Sequence, residues 1–220
     1  MVRGERFYVE YIDNFVDLDI TSCGICDISE IEGLDRLTDL TLLDLTDNDI
    51  TEISGLEKLT NLQILALEGN YIEKIEGLEH LTNLLYLHLH QNQIVEITGL
   101  DTLTNLIHLD LSGNEITKIS GLDNLINLVH LDLRENKIKE ISGLDNLRSL
   151  ISLDLNFNQI SELKGLEHLS NLRSVELEEK NIPIEVIKQI GVKNLYNDSE
   201  DEYLQDIKKV VEYCRKNAKK

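Results

Sequence analysis

The sequence predicts an α/β solenoid, wound right-handed, with a parallel sheet along one side and short helical or extended turns along the other. Three observations carry this. Leu37, Leu59, Leu81, Leu103, Leu125, Leu147 and Leu169 recur every 22 residues without a slip, as do Asn48, Asn70, Asn92, Asn114, Asn136 and Asn158. Within each unit, as in "LTNLLYLHLHQNQIVEITGLDT" (81–102), an alternating L-x-x-L-x-L stretch has the period of a strand buried on one face. The units at the two ends depart from the pattern, as terminal units with one open face must.

Each element has a physical reason. No unit of 22 residues can bury its own apolar face, so the units must stack, and stacking aligns their strands in parallel. The asparagine two or three residues past the strand is placed to bond neighbouring turn backbone through its side-chain amide, giving an internal ladder. The later isoleucines carry the chain back over the core, and Gly33, Gly55, Gly77, Gly99, Gly121, Gly143 and Gly165 let it bend before the next leucine. The expected organisation is an N-terminal cap over 1–14, about eight repeat units over 15–182, and a helical cap over 183–220. Phe7, Val9 and Tyr11 suggest a strand in the first cap. "IEVIKQIG" and a longer helix opening at Ser199, with Glu202 completing a capping box, form the second. The stripe Tyr203, Leu204, Ile207, Val210, Val211 and Cys214 would shield the last rung.

The pattern L-x-x-L-x-L-x-x-N-x-I-x-x-I-x-G-L resembles the leucine-rich repeat in its 22-residue subtype, over residues 15 to about 182. A regulatory subunit of protein phosphatase 1 is the prototype of that subtype, and bacterial internalins are similar in repeat form. The resemblance implies a horseshoe with its sheet on the concave face and a non-catalytic adaptor that holds a protein partner there. In the first unit (15–36), Thr21, Cys23 and Cys26 fall where other units have Leu, Leu and Asn, and Lys180 replaces the asparagine of the last unit. That register makes the C-x-x-C of "CGIC" structural rather than a redox or zinc half-site, because cysteine is a familiar substitute at the asparagine position of such repeats.

Composition narrows the function. Against 41 acidic residues stand 21 basic ones, a formal charge of −20. Such a field repels nucleic-acid phosphates and anionic lipid, so neither is expected as a partner; a basic or hydrogen-bonding protein surface fits better. The start "MVRGERFYVEYIDNF" lacks the apolar run of a signal peptide, and the three cysteines have no disulfide spacing, so a cytoplasmic monomer is expected. No phosphate loop, H-E-x-x-H or nucleophile-elbow signature appears, so no enzyme activity and no cofactor are expected.

Strand residues between the leucines should face outward in three columns. The first runs Leu42, Ile64, Tyr86, His108, His130, Ser152, Ser174. The second runs Asp44, Ala66, His88, Asp110, Asp132, Asp154, Glu176. The third runs Thr46, Glu68, His90, Ser112, Arg134, Asn156, Glu178. Four of the six histidines thus converge on three adjacent strands, whereas His80 and His168 fall on the turn side. The candidate partner-binding residues are Tyr86, His88, His90, His108, Asp110, His130, Asp132, Arg134, Asp154 and Phe157, with Tyr86, Arg134 and Phe157 as anchors. By the resemblance, Asp44, Asp110, Asp132, Asp154 and Glu176 correspond to the acids of the phosphatase regulator, and Tyr86 and Phe157 to its aromatics. The absence of tryptophan, the fewer repeats and the different tail leave a phosphatase open but not favoured. The alternative is a metal-binding protein in which two or three histidines and one or two aspartates of the same patch are ligands. The row Asp110, Asp132, Asp154 should raise some of its own pKa values, and binding at this face should depend on pH between about 5 and 7.

Overall fold

The structure, a computed structural model, describes residues 7, 10–12, 15–177, 182–190 and 200–218. It is a right-handed solenoid with a single nine-stranded sheet in strict sequence order, β1 to β9. β1 (Glu10–Ile12) runs antiparallel to β2 (Phe15–Asp19), and every later pair is parallel. The repeat strands are three residues each: β3 (Leu42–Asp44), β4 (Ile64–Ala66), β5 (Tyr86–His88), β6 (His108–Asp110), β7 (His130–Asp132), β8 (Ser152–Asp154) and β9 (Ser174–Glu176). From β3 onward the register advances by one 22-residue unit per strand, so equivalent residues sit side by side.

The leucines and isoleucines of every unit form one continuous core, most of them wholly buried. Among the largest contributors are Leu43, Leu65 and Leu67, which have no exposed surface. The asparagine ladder runs unbroken from Asn48 to Asn158. Asn70 Nδ2 donates to the carbonyls of Leu45 (3.0 Å), Leu67 (3.0 Å) and Glu68 (3.2 Å), while its Oδ1 accepts from Ile50 N–H at 3.0 Å. One side chain therefore ties the turns of two adjacent units and satisfies buried backbone groups that the short strands leave unpaired. A second ladder runs along the solvent side: Asn61, Asn83, Asn105 and Asn127 each donate to a carbonyl 23 residues earlier. Its 22-residue spacing is as plain in the sequence as that of the first, but its exposed position hides it from a search for core residues.

The first unit corrects the expected register. β2 pairs with β3 as Leu18↔Leu43, an offset of 25 residues rather than 22. Leu18 and Ile20, not Thr21 and Cys23, take the buried leucine positions. Cys23 is the asparagine equivalent: its Sγ donates to Thr21 O at 3.3 Å, as Asn48 Nδ2 does to Thr46 O at 3.2 Å. Cys26 is exposed. The extra residues form a 3-10 turn, Ile28–Glu30, with a capping box from Asp27 and Glu30. A second 3-10 turn follows at Leu34–Arg36, and the later turns opposite the sheet are extended or single turns, such as Leu59 N–H to Leu56 O at 2.9 Å.

Both ends are covered. β1 occupies the outer edge of β2, and Phe7, outside that strand, packs on the core. Covering an edge removes a row of unpaired backbone groups that would otherwise template aggregation. At the other end α1 (Ile184–Ile190) and α2 (Glu200–Asn217) follow β9. Ile207, Val210, Val211 and Cys214 of α2 are buried, and Arg215 Nε donates to Glu167 O at 2.8 Å. Burial pushes the Cys214 thiol up to about 11, so it is an inert part of the cap. Val9, Glu178, Lys180 and Ser199 lie outside the described residues, as do the side chains of Tyr11, Glu202, Tyr203 and Leu204. Among the described residues no helix is long and apolar enough to cross a membrane.

Candidate functional site

The sheet exposes one face, and the candidate residues meet at its middle. Because the register is one unit per strand, Tyr86 lies beside His108, His108 beside His130, His88 beside Asp110, and Asp110 beside Asp132. These are the neighbours the columns predict. The rings form a chain: His88 to His108 at 5.2 Å between centroids, His108 to His130 at 5.8 Å, and Tyr86 to His108 at 6.2 Å. Tyr86 remains 38% exposed at one side of this chain.

The second column has a role in the fold that the sequence reading missed. The Oδ1 of Asp44, Asp110, Asp132 and Asp154 each accepts the backbone N–H two residues later, from Thr46, Ser112, Arg134 and Asn156, at 2.8–2.9 Å. This is the local side-chain turn that aspartate makes readily, and it ends each strand. The signal was D-x-T, D-x-S, D-x-R and D-x-N at a 22-residue spacing. One oxygen of each carboxylate thus belongs to the fold, and the other is left for the open face.

The third column does not point outward throughout. Ser112 and Asn156 are buried. Ser112 Oγ donates to Asp110 Oδ1 at 2.7 Å, and Asn156 Nδ2 donates to Glu176 Oε2 at 3.1 Å. His90 is likewise drawn into the protein. Its Nδ1 is buried without a well-aligned hydrogen bond, 3.5 Å from Glu68 Oε2 and 3.4 Å from Asp110 Oδ2. Arg134, by contrast, is 46% exposed, with Nη2 at 3.9 Å from Asp132 Oδ2. Phe157 lies beyond the third column, on the turn, 57% exposed and with a φ of +56°.

Electrostatics separates the three aspartates. Burial by itself raises Asp110, but His90 and the Ser112 N–H and hydroxyl outweigh it and hold the carboxyl down at about 2. Asp132 has only the Arg134 N–H and no side-chain donor to match His90 and the Ser112 hydroxyl: burial, together with the charges of Asp110 and Asp154, pushes it up to about 6 in spite of Arg134. Asp154 is raised by burial and by Glu176. The like-charge row thus acts on Asp132 and Asp154 but not on Asp110. His90 is raised, chiefly by Asp110, whereas burial and the neighbouring His88 and His130 lower His108. At neutral pH the patch holds a neutral imidazole at His108 beside an ionised Asp110.

His88, His108 and Asp110 also bring three potential metal-ligand atoms within 4.8 Å of one another. A second such group among the described residues, Asp145, Glu167 and His168, lies on the turn side, with Asp145 and His168 exposed.

The model for leucine-rich repeats in two copies matches residues 38–80, 60–102, 82–124, 104–146 and 126–168. No curated protein matches the chain. Among solved structures, an internalin (inlF) from Listeria monocytogenes is similar at 32% identity and a TM-score of 0.67, over 74% of this chain and 47% of that one. Internalin C2 (inlC2) from the same organism is similar at 34% identity and a TM-score of 0.56, over 74% of this chain and 80% of that one. This chain therefore spans about half the length of the first. A register of 22 residues, an asparagine ladder from Asn48 to Asn158 and the matched family model lead to one conclusion: the chain belongs to the leucine-rich repeat family.

Proposed function

We propose that the protein is a non-catalytic recognition scaffold that holds a protein partner on the concave face of its sheet, around Tyr86, His108, His130, Asp132 and Arg134. The observation that carries this reading is the state of Asp132. Burial and the charges of Asp110 and Asp154 push its carboxyl up to about 6, so it is an incompletely compensated charge in the middle of an open surface. A cationic or hydrogen-bonding group from outside relieves it, and the formal charge of −20 attracts such a partner from a distance. Around that centre stand a half-exposed aromatic, three imidazoles and an arginine, the side chains that anchor recognition surfaces. The similarity to internalins and the family's frequent use as interaction scaffolds support the same reading. A phosphatase is one partner of the right kind, but nothing about this face favours it. On the same face Asp154, and beside it on the turn Phe157, extend the surface toward the C-terminal cap.

Affinity capture from the native source tests this with two sets of variants. The concave set is Tyr86→Ala, His130→Ala and Arg134→Ala; the control set is Tyr71→Ala, Val95→Ala and Ile126→Ala, all exposed away from the columns. A protein retained by wild type and the control set but lost from the concave set is expected. Equal retention by both sets contradicts the proposal.

A further inference from the structure

We infer that His88, His108 and Asp110 form a binding site for a divalent transition-metal cation of the zinc class, with one coordination position left open toward the concave groove.

The argument begins with register. β5 and β6 pair so that His88 stands directly beside Asp110, and His108 lies two residues before Asp110 on the same face. Two imidazoles and a carboxylate therefore converge from two strands rather than from flexible loops, and their ligand atoms lie within 4.8 Å of one another. A tetrahedral zinc with bonds of about 2.0–2.1 Å needs donors about 3.4 Å apart. The required closure is on the order of 1 Å, within reach of side-chain rotations at three half-buried residues. The two imidazole rings already stand 5.2 Å apart between centroids.

The surroundings have the character of an outer shell. Asp110 Oδ1 is held by Ser112 N–H at 2.9 Å and Ser112 Oγ at 2.7 Å, which fixes the carboxylate plane. His90 flanks Oδ2 at 3.4 Å. Ligating carboxylates are commonly oriented by hydrogen bonds of this kind. Three protein ligands leave a fourth position for water or for a donor from outside. Asp145, Glu167 and His168 lack this support: the first and last are exposed, and His168 Nε2 already faces Asp145 Oδ1 at 3.7 Å. They serve as an internal control.

The inference stands apart from the recognition proposal, because a scaffold can bind its partner with or without metal. Zinc is titrated calorimetrically into the tag-free 220-residue chain, and cobalt(II) is added in parallel to read the ligand type by absorption. Stoichiometric binding is expected, with visible cobalt d–d bands and no thiolate charge transfer. Binding should be lost in His88→Ala and His108→Ala and weakened about tenfold in Ser112→Ala. It should be unchanged in His168→Ala and in the double variant Cys23→Ser/Cys26→Ser. Asp110→Asn, nearly isosteric, should lose binding with the fold retained by circular dichroism, which separates a missing ligand from a misfolded chain. No binding, binding that survives His108→Ala, or binding lost with His168 or the cysteines overturns the inference. Partner capture repeated with a chelator shows whether the two proposals fail separately.

Discussion

Asp110 and Asp132 occupy the same column on adjacent strands, yet the structure predicts opposite consequences for their neutralisation. Asp132 has a folded pKa of about 6 against an ordinary 3.8. An acid raised in this way binds its proton more tightly when folded than when unfolded. The fold therefore gains stability as pH falls through about 6, and it bears the cost of the ionised carboxylate above that. At about 1.36 kcal/mol per pH unit the gap corresponds to at most ~3 kcal/mol. The side chain is 24% exposed, and solvent with Arg134 screens the charge, so roughly half of that, ~1.5 kcal/mol, is the working figure. Asp132→Asn keeps an oxygen to accept Arg134 N–H. It should stabilise the protein by ~1.5 kcal/mol at pH 7.5, a gain in urea midpoint of about 0.6 M for an m-value near 2.5 kcal/mol/M. At pH 4, where the wild-type group is already protonated when folded, the gain should shrink below ~0.5 kcal/mol. Asp110 is held at about 2, so its stability is present above pH 4 and lost as pH falls through that lower value. Asp110→Asn should cost ~1 kcal/mol at pH 7.5. Urea unfolding followed by circular dichroism at both pH values measures all of this. The same sign for both variants, or an Asp132→Asn effect that does not change with pH, refutes the electrostatic reasoning.

Further outcomes follow from the packing. Asn92→Ala removes donors to Leu67, Leu89 and His90 carbonyls and orphans the buried Ile72 N–H, and should cost about 3 kcal/mol in urea unfolding. Gly55→Ala and Gly99→Ala share a left-handed backbone, costing ~1–2 kcal/mol for any side chain. Only at Gly99 would the new Cβ lie 2.2 Å from Ile75 O, so thermal unfolding should show it clearly the worse of the two. Phe157→Gly relieves a left-handed phenylalanine at +56°. After the entropy of glycine in the unfolded chain, about 0.5–1 kcal/mol of net stabilisation should remain while partner capture weakens.

Much of the fold is legible in the sequence because the repeat is its own ruler. Once Leu43 and Leu65 are known to stack, every column neighbour from β3 to β9 follows by adding 22. The same ruler misleads in the first unit. There the 3-10 turn at Ile28–Glu30 takes up three extra residues and moves Cys23 into the asparagine position. No periodicity shows an insertion inside a unit that has no neighbour before it. The candidate site is legible in its first two columns, which lie on the strands. It fails at the third, where the chain has left the sheet and Ser112, Asn156 and His90 turn toward carboxylates rather than solvent. Which aspartate is strained was also hidden, because it depends on whether the residue two positions on is a serine that donates twice or an arginine whose guanidinium stands off.

The recognition surface is tested most directly by histidine footprinting with diethylpyrocarbonate, once a captured partner is in hand. The chain carries its own controls, since His88, His108 and His130 lie on the open face and His80 and His168 on the turns. The account predicts that the bound partner shields the three concave histidines and leaves His80 and His168 as reactive as in the free protein. Shielding of the turn histidines with the concave three still modified would contradict it.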